Sequence, residues 1–349
     1  MTSESKFGGV VDWPLATKVG VRLARSGPAM SRYTAEMVAS ELAEASRRAE
    51  GPVREVTGLA DGLAIPDALV LDRAGWIEAA ADSMAQLTGA ESGDTGFIVG
   101  KPAGLQAGVM LAYLSSAILG QYDPFTDDGT LLLVAPNIVA AERALKVPPS
   151  DFRLWVCLHE VTHRVQFSST PWLAGYMQQM VGILGESTDE PILDVATRLV
   201  DAVRGNNGAE RAGSDSAEIG GLVGLLRATQ PPAQRDALDN LLVLGTLLEG
   251  HADYVMDAVG PAVVPSVTRI RSAFDSRRRS ANNPVQRLIR ALLGMDAKMA
   301  QYVRGKAFVE AVIDEVGMEQ FNQVWTGPET LPLLAEIDQP QAWVQRVLG

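Results

Sequence analysis

The chain has 349 residues, 47% hydrophobic and 21% charged, with a formal net charge of −12 and an isoelectric point near 4.8. That balance suits a soluble globular protein with a sizeable core, and its acidic surplus argues against nucleic acid as a partner. A single cysteine, Cys157, excludes an internal disulfide and suits the cytoplasm.

Near the start, Asp12 interrupts Gly8-Gly9-Val10-Val11 before an apolar stretch can form, so no secretory signal is read there. Asp12 and Pro14 instead open a first helix, with Trp13, Val19 and Leu23 as its apolar contacts. Gly27-Pro28 breaks it. Ser31 caps a second helix with Met37, Val38, Leu42 and Ala45 as its buried stripe and its Glu and Arg residues on a solvated face. Asp72 caps a third around Trp76 to Leu87. Pro102 to Tyr122 carries no charge, but Gln106, Ser115, Ser116 and Gln121 make it too polar to insert stably in a membrane. It reads as a buried core helix in which Gly104 and Gly108 permit close packing, followed at Tyr122-Asp123-Pro124 by an ordinary turn or, as the alternative, one that approaches the centre described below. Thr130 to Ala135 is the best strand, an apolar run between Gly129 and Pro136, and the expected edge strand beside the centre described next.

Leu158-His159-Glu160-Val161-Thr162-His163-Arg164 contains His-Glu-x-x-His. Four helical residues turn the chain by about 400°, so His159 and His163 share one face and their imidazoles can reach one metal ion. Glu160 is offset by about 100° and is placed to act as general base toward a water activated by that ion. Phe152, Trp155 and Val156 lie on the histidine face one and two turns earlier and are expected to wall the ion off from solvent. Cys157 points away from that face, into the core.

Beyond this helix, Trp172 to Gly185, 192–203 and Gln234 to Val259 read as helices. Residues 205–221, rich in Gly, Ser, Asn and acids, read as a surface excursion, and Arg277-Arg278-Arg279 as a solvated loop. Helices near 285–302 and 306–316 precede a Pro-interrupted tail. A zinc site of this kind needs a third protein ligand, and Leu248-Glu249-Gly250-His251-Ala252-Asp253 holds the one remaining histidine. Glu249 and Asp253 are four apart and share a helical face, while His251 is about 200° away from Glu249. Spacing alone leaves Glu249 and His251 both open.

A Glu followed four residues later by an Asp resembles the thermolysin-like zincins. The resemblance implies that Glu249 is the third ligand, that Asp253 orients the first histidine from behind, and that His251 is a reserve ligand or stabilises an oxyanion. Tyr254 is a second oxyanion candidate through its nearness in sequence. More widely, the chain resembles an actinobacterial zincin-like family described as zinc-dependent metalloproteases or as hydrolases linked to deazaflavin-cofactor biosynthesis. The likeness is carried by Val11-Asp12-Trp13, Gly120-Gln121-Tyr122-Asp123-Pro124-Phe125, Leu132-Leu133-Val134-Ala135-Pro136-Asn137, the metal helix with Gln166-Phe167, Glu249 to Asp253, Asp296 to Met299 and Pro328 to Pro332. Glu249 lies 86 positions after His163 (163 to 249), where thermolysin-like enzymes use a few tens, so the wider fold departs from theirs.

The expected protein is therefore mostly α, an α+β chain with a minor sheet, zincin-like, forming one unit over 1–349. A helical part spans 1–90 and the metal-site core spans 91–349. Its leading function is a zinc metallopeptidase with His159, His163 and Glu249 on Zn2+ and Glu160 as base. The alternatives are a zinc hydrolase of a small amide or ester and a non-catalytic zinc-binding protein, the latter disfavoured because a structural site needs no base.

Overall fold

The computed structural model describes residues 11–89, 100–126, 129–185, 231–279 and 296–349. The helix expected at 192–203 and the excursion at 205–221 lie outside them. The described chain is mostly helical, with one three-stranded sheet.

Helix α1 (Trp13–Leu23) starts where the capping residue dictates: the Asp12 carboxylate accepts from the Leu15 amide at 2.9 Å. It buries Ala16 and Gly20 rather than Leu23, which is 52% exposed. Small residues are what this contact needs, because α1 crosses α4 (Lys101–Leu114) at backbone range. A Cβ on Gly108 would meet the Ala16 carbonyl at 2.6 Å. Helix α4 is shorter than expected and only half buried. It ends at Leu114, buries Gly104, Gly108 and Leu111, and exposes Leu105 and Val109. Helix α2 (Arg32–Thr57) is capped by Ser31, and α3 (Arg73–Leu87) by Asp72.

The sheet order is β1-β3-β2, with β1 (Leu69–Leu71) parallel and β2 (Gly120–Asp123) antiparallel to β3 (Thr130–Val134). This corrects two readings. The apolar run at β3 is the central strand, buried on both sides, and the edge strand is β2, part of which had read as a turn. Four residues with a glycine first and an aspartate last carry too little alternation to show as a strand.

Helix α5 (Ala135–Leu145) follows β3 directly, and α6 (Pro149–Ser168) carries His-Glu-x-x-His. Thirteen of the twenty residues of α6 are buried, so it runs through the interior, packed on α2. Two buried arginines fix it there. Arg164 pairs with Glu50 of α2 and donates to the Pro66 carbonyl, while Arg153 grips Glu142 of α5 and pairs with Glu41. Glu50, expected on a solvated face, is 1% exposed. Phe152, Trp155 and Val156 are buried in the same core, Phe152 stacked on Trp155 at 5.9 Å, and they do not form a wall of the cleft. Cys157 is buried as expected.

Helix α7 (Trp172–Gly185) begins where expected and runs to the last described residue of its segment. The long helix α8 (Pro232–Val263) carries Glu249 and kinks at Gly260-Pro261. It packs on α10 (Asp296–Phe321) through a close crossing, because a Cβ on Gly250 would run into the Gly305 backbone. Between them, α9 (Val267–Arg279) takes Arg277-Arg278-Arg279 into its last turn, where a loop had been expected. Short turns of helix at Asn322–Trp325 and Pro328–Thr330, then α11 (Pro340–Val347), close a second core that includes Leu247, Phe308, Phe321 and Trp343. Among the described residues no helix is long and apolar enough to cross a membrane.

Candidate metal centre

The i, i+4 spacing on α6 does what helical geometry requires, setting His159 and His163 edge to face with their Nε2 atoms 3.2 Å apart. Helix α8 crosses α6 so that Glu249 faces both. Its carboxylate oxygens lie 3.4 Å from His159 Nε2 and 3.6 Å from His163 Nε2. Two nitrogens and a carboxylate oxygen from these residues gather within 4.8 Å of one another. Ligand atoms at tetrahedral angles and about 2.0–2.1 Å from a zinc ion would stand about 3.3–3.4 Å apart. The observed separations fit that donor set. Two imidazole nitrogens this close repel unless a proton or a metal cation lies between them.

Glu160 sits beside the cluster, 7% exposed. Burial raises its carboxyl to about 7, with His159 opposing the rise and Glu249 adding to it. Its position depends on Gly120. A Cβ there would lie 2.6 Å from the Glu160 Cγ and 2.7 Å from its Cδ, so only a glycine lets the edge strand pass over this carboxylate. Burial disfavours a charged His159, yet hydrogen bonding and charge from Glu249 lift it to about 9; burial lowers His163.

Behind the ligating face, His159 Nδ1 meets the Met256 sulfur at 3.3 Å, and His163 Nδ1 meets Gln166 Oε1 at 2.9 Å. Asp253 is not their hydrogen-bond partner. It turns to Arg271, with Oδ1 3.3 Å from the guanidinium, and reaches the histidines only as a nearby charge. The two oxyanion candidates also fall away from the site. His251 is 0% exposed, stacked on Phe321 at 5.5 Å, and burial depresses its imidazole to about 3. Tyr254 packs between the two helical cores. Neither lines the cleft.

The cleft has a volume of about 440 Å³ over His159, Glu160, His163 and Glu249. Helix α3 contributes Met84 and Leu87, β2 and its turn contribute Tyr122 and Phe125, and Phe167, Met177 and Leu248 complete the apolar wall. Apart from Tyr122, whose turn was weighed as approaching the centre, none of these positions was singled out from the sequence as lining a site. Gln166 and Phe167 carried a detectable signal, since they follow His163 by three and four residues and so return to its face.

Residues 11–344 match the sequence profile of the zincin-like metallopeptidases. The chain belongs to that family. It is also similar to a crystal structure of a presumed hydrolase with a novel fold from Chloroflexus aurantiacus, with a TM-score of 0.69 and 28% identity over 97% of this chain and 98% of that one. Among curated proteins, none matches it. Family membership and the hydrolase neighbour support a hydrolase.

Proposed function

We propose that this zincin-like protein is a zinc metallopeptidase, with His159, His163 and Glu249 holding the ion and Glu160 as general base. The observation that carries the proposal is the buried Glu160 carboxylate, held beside a three-residue donor set at the floor of an open cleft. A structural metal site has no use for such a base. Zinc held there would polarise a substrate carbonyl and render water acidic enough to lose a proton near neutral pH.

Glu160 then takes the water's proton and returns it to the leaving nitrogen, a task suited to a carboxyl that titrates near 7. The outer edge of β2, unpaired among the described residues and passing over Glu160 at Gly120, offers backbone groups along which an extended chain can align. The wall of Met84, Leu87, Phe125, Phe167, Met177 and Leu248 favours an apolar side chain next to the cleaved bond.

We read residues 1–349 as one metallohydrolase unit, supported by a family match across 11–344 and a structural match across 97% of the chain. The lone, buried Cys157 suits the cytoplasm as its compartment. A second reading, hydrolysis of a small amide or ester, is favoured by the cleft volume, which lies within the range of about 300–1,000 Å³ used for small ligands. It also agrees with the resemblance to hydrolases linked to deazaflavin-cofactor biosynthesis.

Glu160→Gln tests the function. The variant should keep its zinc and thermal stability and lose about 10²–10⁴-fold in turnover against peptides with internal apolar residues. Equal turnover by the variant removes Glu160 as the base. Turnover of small amides and esters with none of peptides installs the second reading.

A further inference from the structure

We infer that Gln166 is a positioning residue for the centre: its buried amide sets the tautomer of His163 and ties the helix that carries Glu249 to the helix that carries both histidines. The inference rests on reading His159, His163 and Glu249 as the metal ligands. Gln166 is 0% exposed and makes three contacts. Its Nε2 lies 3.0 Å from the Leu248 carbonyl oxygen and 3.0 Å from His251 Nδ1, and its Oε1 lies 2.9 Å from His163 Nδ1.

The carbonyl of Leu248 can only accept, so the nitrogen end of the amide must face it; the opposite orientation would set two oxygens against each other. One amide hydrogen goes to Leu248 and the other to His251 Nδ1, which must then be an unprotonated acceptor. The oxygen end is left facing His163 Nδ1, which must carry a proton. His163 is therefore held as the Nδ1–H form, with the Nε2 lone pair directed at His159 Nε2 and the Glu249 carboxylate. One amide thus determines the protonation of two imidazoles.

The same amide fixes distance. Leu248 precedes Glu249 on α8, so a hydrogen bond from α6 to the Leu248 carbonyl sets how far the Glu249 carboxylate stands from the two histidines. His251 completes the anchor. Its Nδ1 accepts from Gln166 while its ring is packed against Phe321 and Trp325, with Nε2 buried and without a hydrogen-bond partner among the described residues. The residue expected as a reserve ligand is part of the support that locks Gln166.

The test reads tautomer and metal affinity separately from activity. In nitrogen–proton correlation spectra of histidine-labelled protein, His163 should carry its proton on Nδ1 and His251 on Nε2, with and without zinc. Gln166→Met, which keeps the volume and loses the amide, should bind zinc about 10–100-fold more weakly in competition with a chromophoric chelator, and the His163 tautomer should become mixed. Gln166→Glu keeps an acceptor for His163 but loses the paired donors. It should recover most of the zinc affinity and the His163 tautomer without recovering thermal stability, a split that a purely structural role would not produce.

A Gln166→Met protein with wild-type zinc affinity overturns the inference. So does a wild-type spectrum with the His163 proton on Nε2, a measurement that stands even if the variants fail to fold. A wild-type protein that binds no zinc overturns the metal reading instead, while the histidine spectra of that protein still decide the role of Gln166.

Discussion

Helices α6 and α8 face each other across one centre, and each is held in place by different physics. Helix α6 is fixed by buried charge: Arg164 against Glu50 and Arg153 against Glu142, pairs that reach into α2 and α5. Helix α8 is fixed by shape, with the backbones of Gly250 and Gly305 in a crossing that leaves no room for a Cβ. Its charged groups sit toward the rim, as Asp253 and Asp257 against Arg271 and Lys306. The two supports should therefore fail under opposite kinds of substitution, α6 when a partner is removed and α8 when an atom is added.

The largest effect is expected on α6. Arg164→Met leaves the buried Glu50 carboxylate with Arg54, 2.8 Å away, in place of two guanidinium partners, and should cost up to about 3–5 kcal/mol in chemical denaturation. The double variant Arg164→Met/Glu50→Met should recover much of that loss, because the penalty lies in a buried carboxylate compensated by Arg54 alone. A double variant no more stable than the single one would show that the pair contributes more than its desolvation costs.

On α8, Gly250→Ala forces a methyl into the Gly305 backbone and should cost about 1–3 kcal/mol. Because Glu249 is the adjacent residue, zinc affinity should fall with it. Gly245→Ala is the control on the same helix: nothing lies within 4 Å of the added carbon, so helix propensity alone should leave it neutral or stabilised by up to about 1 kcal/mol. Equal melting temperatures for the two variants would mean that the crossing is looser than its geometry.

Behind α8 and α10, the C-terminal cap has a charge pair of its own, and it predicts a pH dependence. Burial pushes the Glu336 carboxyl up, but hydrogen bonds from Arg346 and the Leu333 amide outweigh it and hold the group below the ordinary carboxylate range. A depressed folded value gives stability that is complete above the unfolded value of about 4.3 and is lost as pH falls through the folded one. Glu336→Gln should therefore melt below wild type at neutral pH, with the gap closing on acidification below about pH 4.3. A gap that stays constant with pH would assign it to lost packing.

The two helices also differ in how much of their role could be read from the sequence. On α6 the relations are local: spacing alone puts His159, His163 and Glu160 in place, and helix starts such as the one capped by Ser31 follow from flanking signals. What failed were relations between distant segments. Glu50 looked solvated because an i, i+4 pair with Arg54 suits a helix surface, while Arg164, its second partner, is 114 positions away. Phe152 and Trp155 share the histidine face by angle, yet α6 is buried on nearly every side, so the face that meets the cleft could not be told from the faces that meet the core. Gly120 carried no signal as a site residue, since the reason for a glycine is the Glu160 carboxylate brought against it by the fold.

The smallest predicted effect concerns Asp253, where spacing and structure disagree. Being four residues after Glu249 does place the two carboxylates on one side of α8, and that geometry is what suggested a support for a histidine. The structure fills that role on His159 with the Met256 sulfur and directs Asp253 to Arg271. Asp253→Asn keeps the shape, and the pair it weakens is partly solvated, so stability should change by no more than about 1 kcal/mol. Zinc affinity should fall less than the 10–100-fold expected for a residue that orients a ligand directly, because only a distant charge is lost. Met256→Leu removes the atom that His159 Nδ1 touches and should weaken zinc more than Asp253→Asn does. Chelator competition on the two variants settles the order, and a larger loss from Asp253→Asn would restore the aspartate as the partner of His159 in the metal-loaded protein.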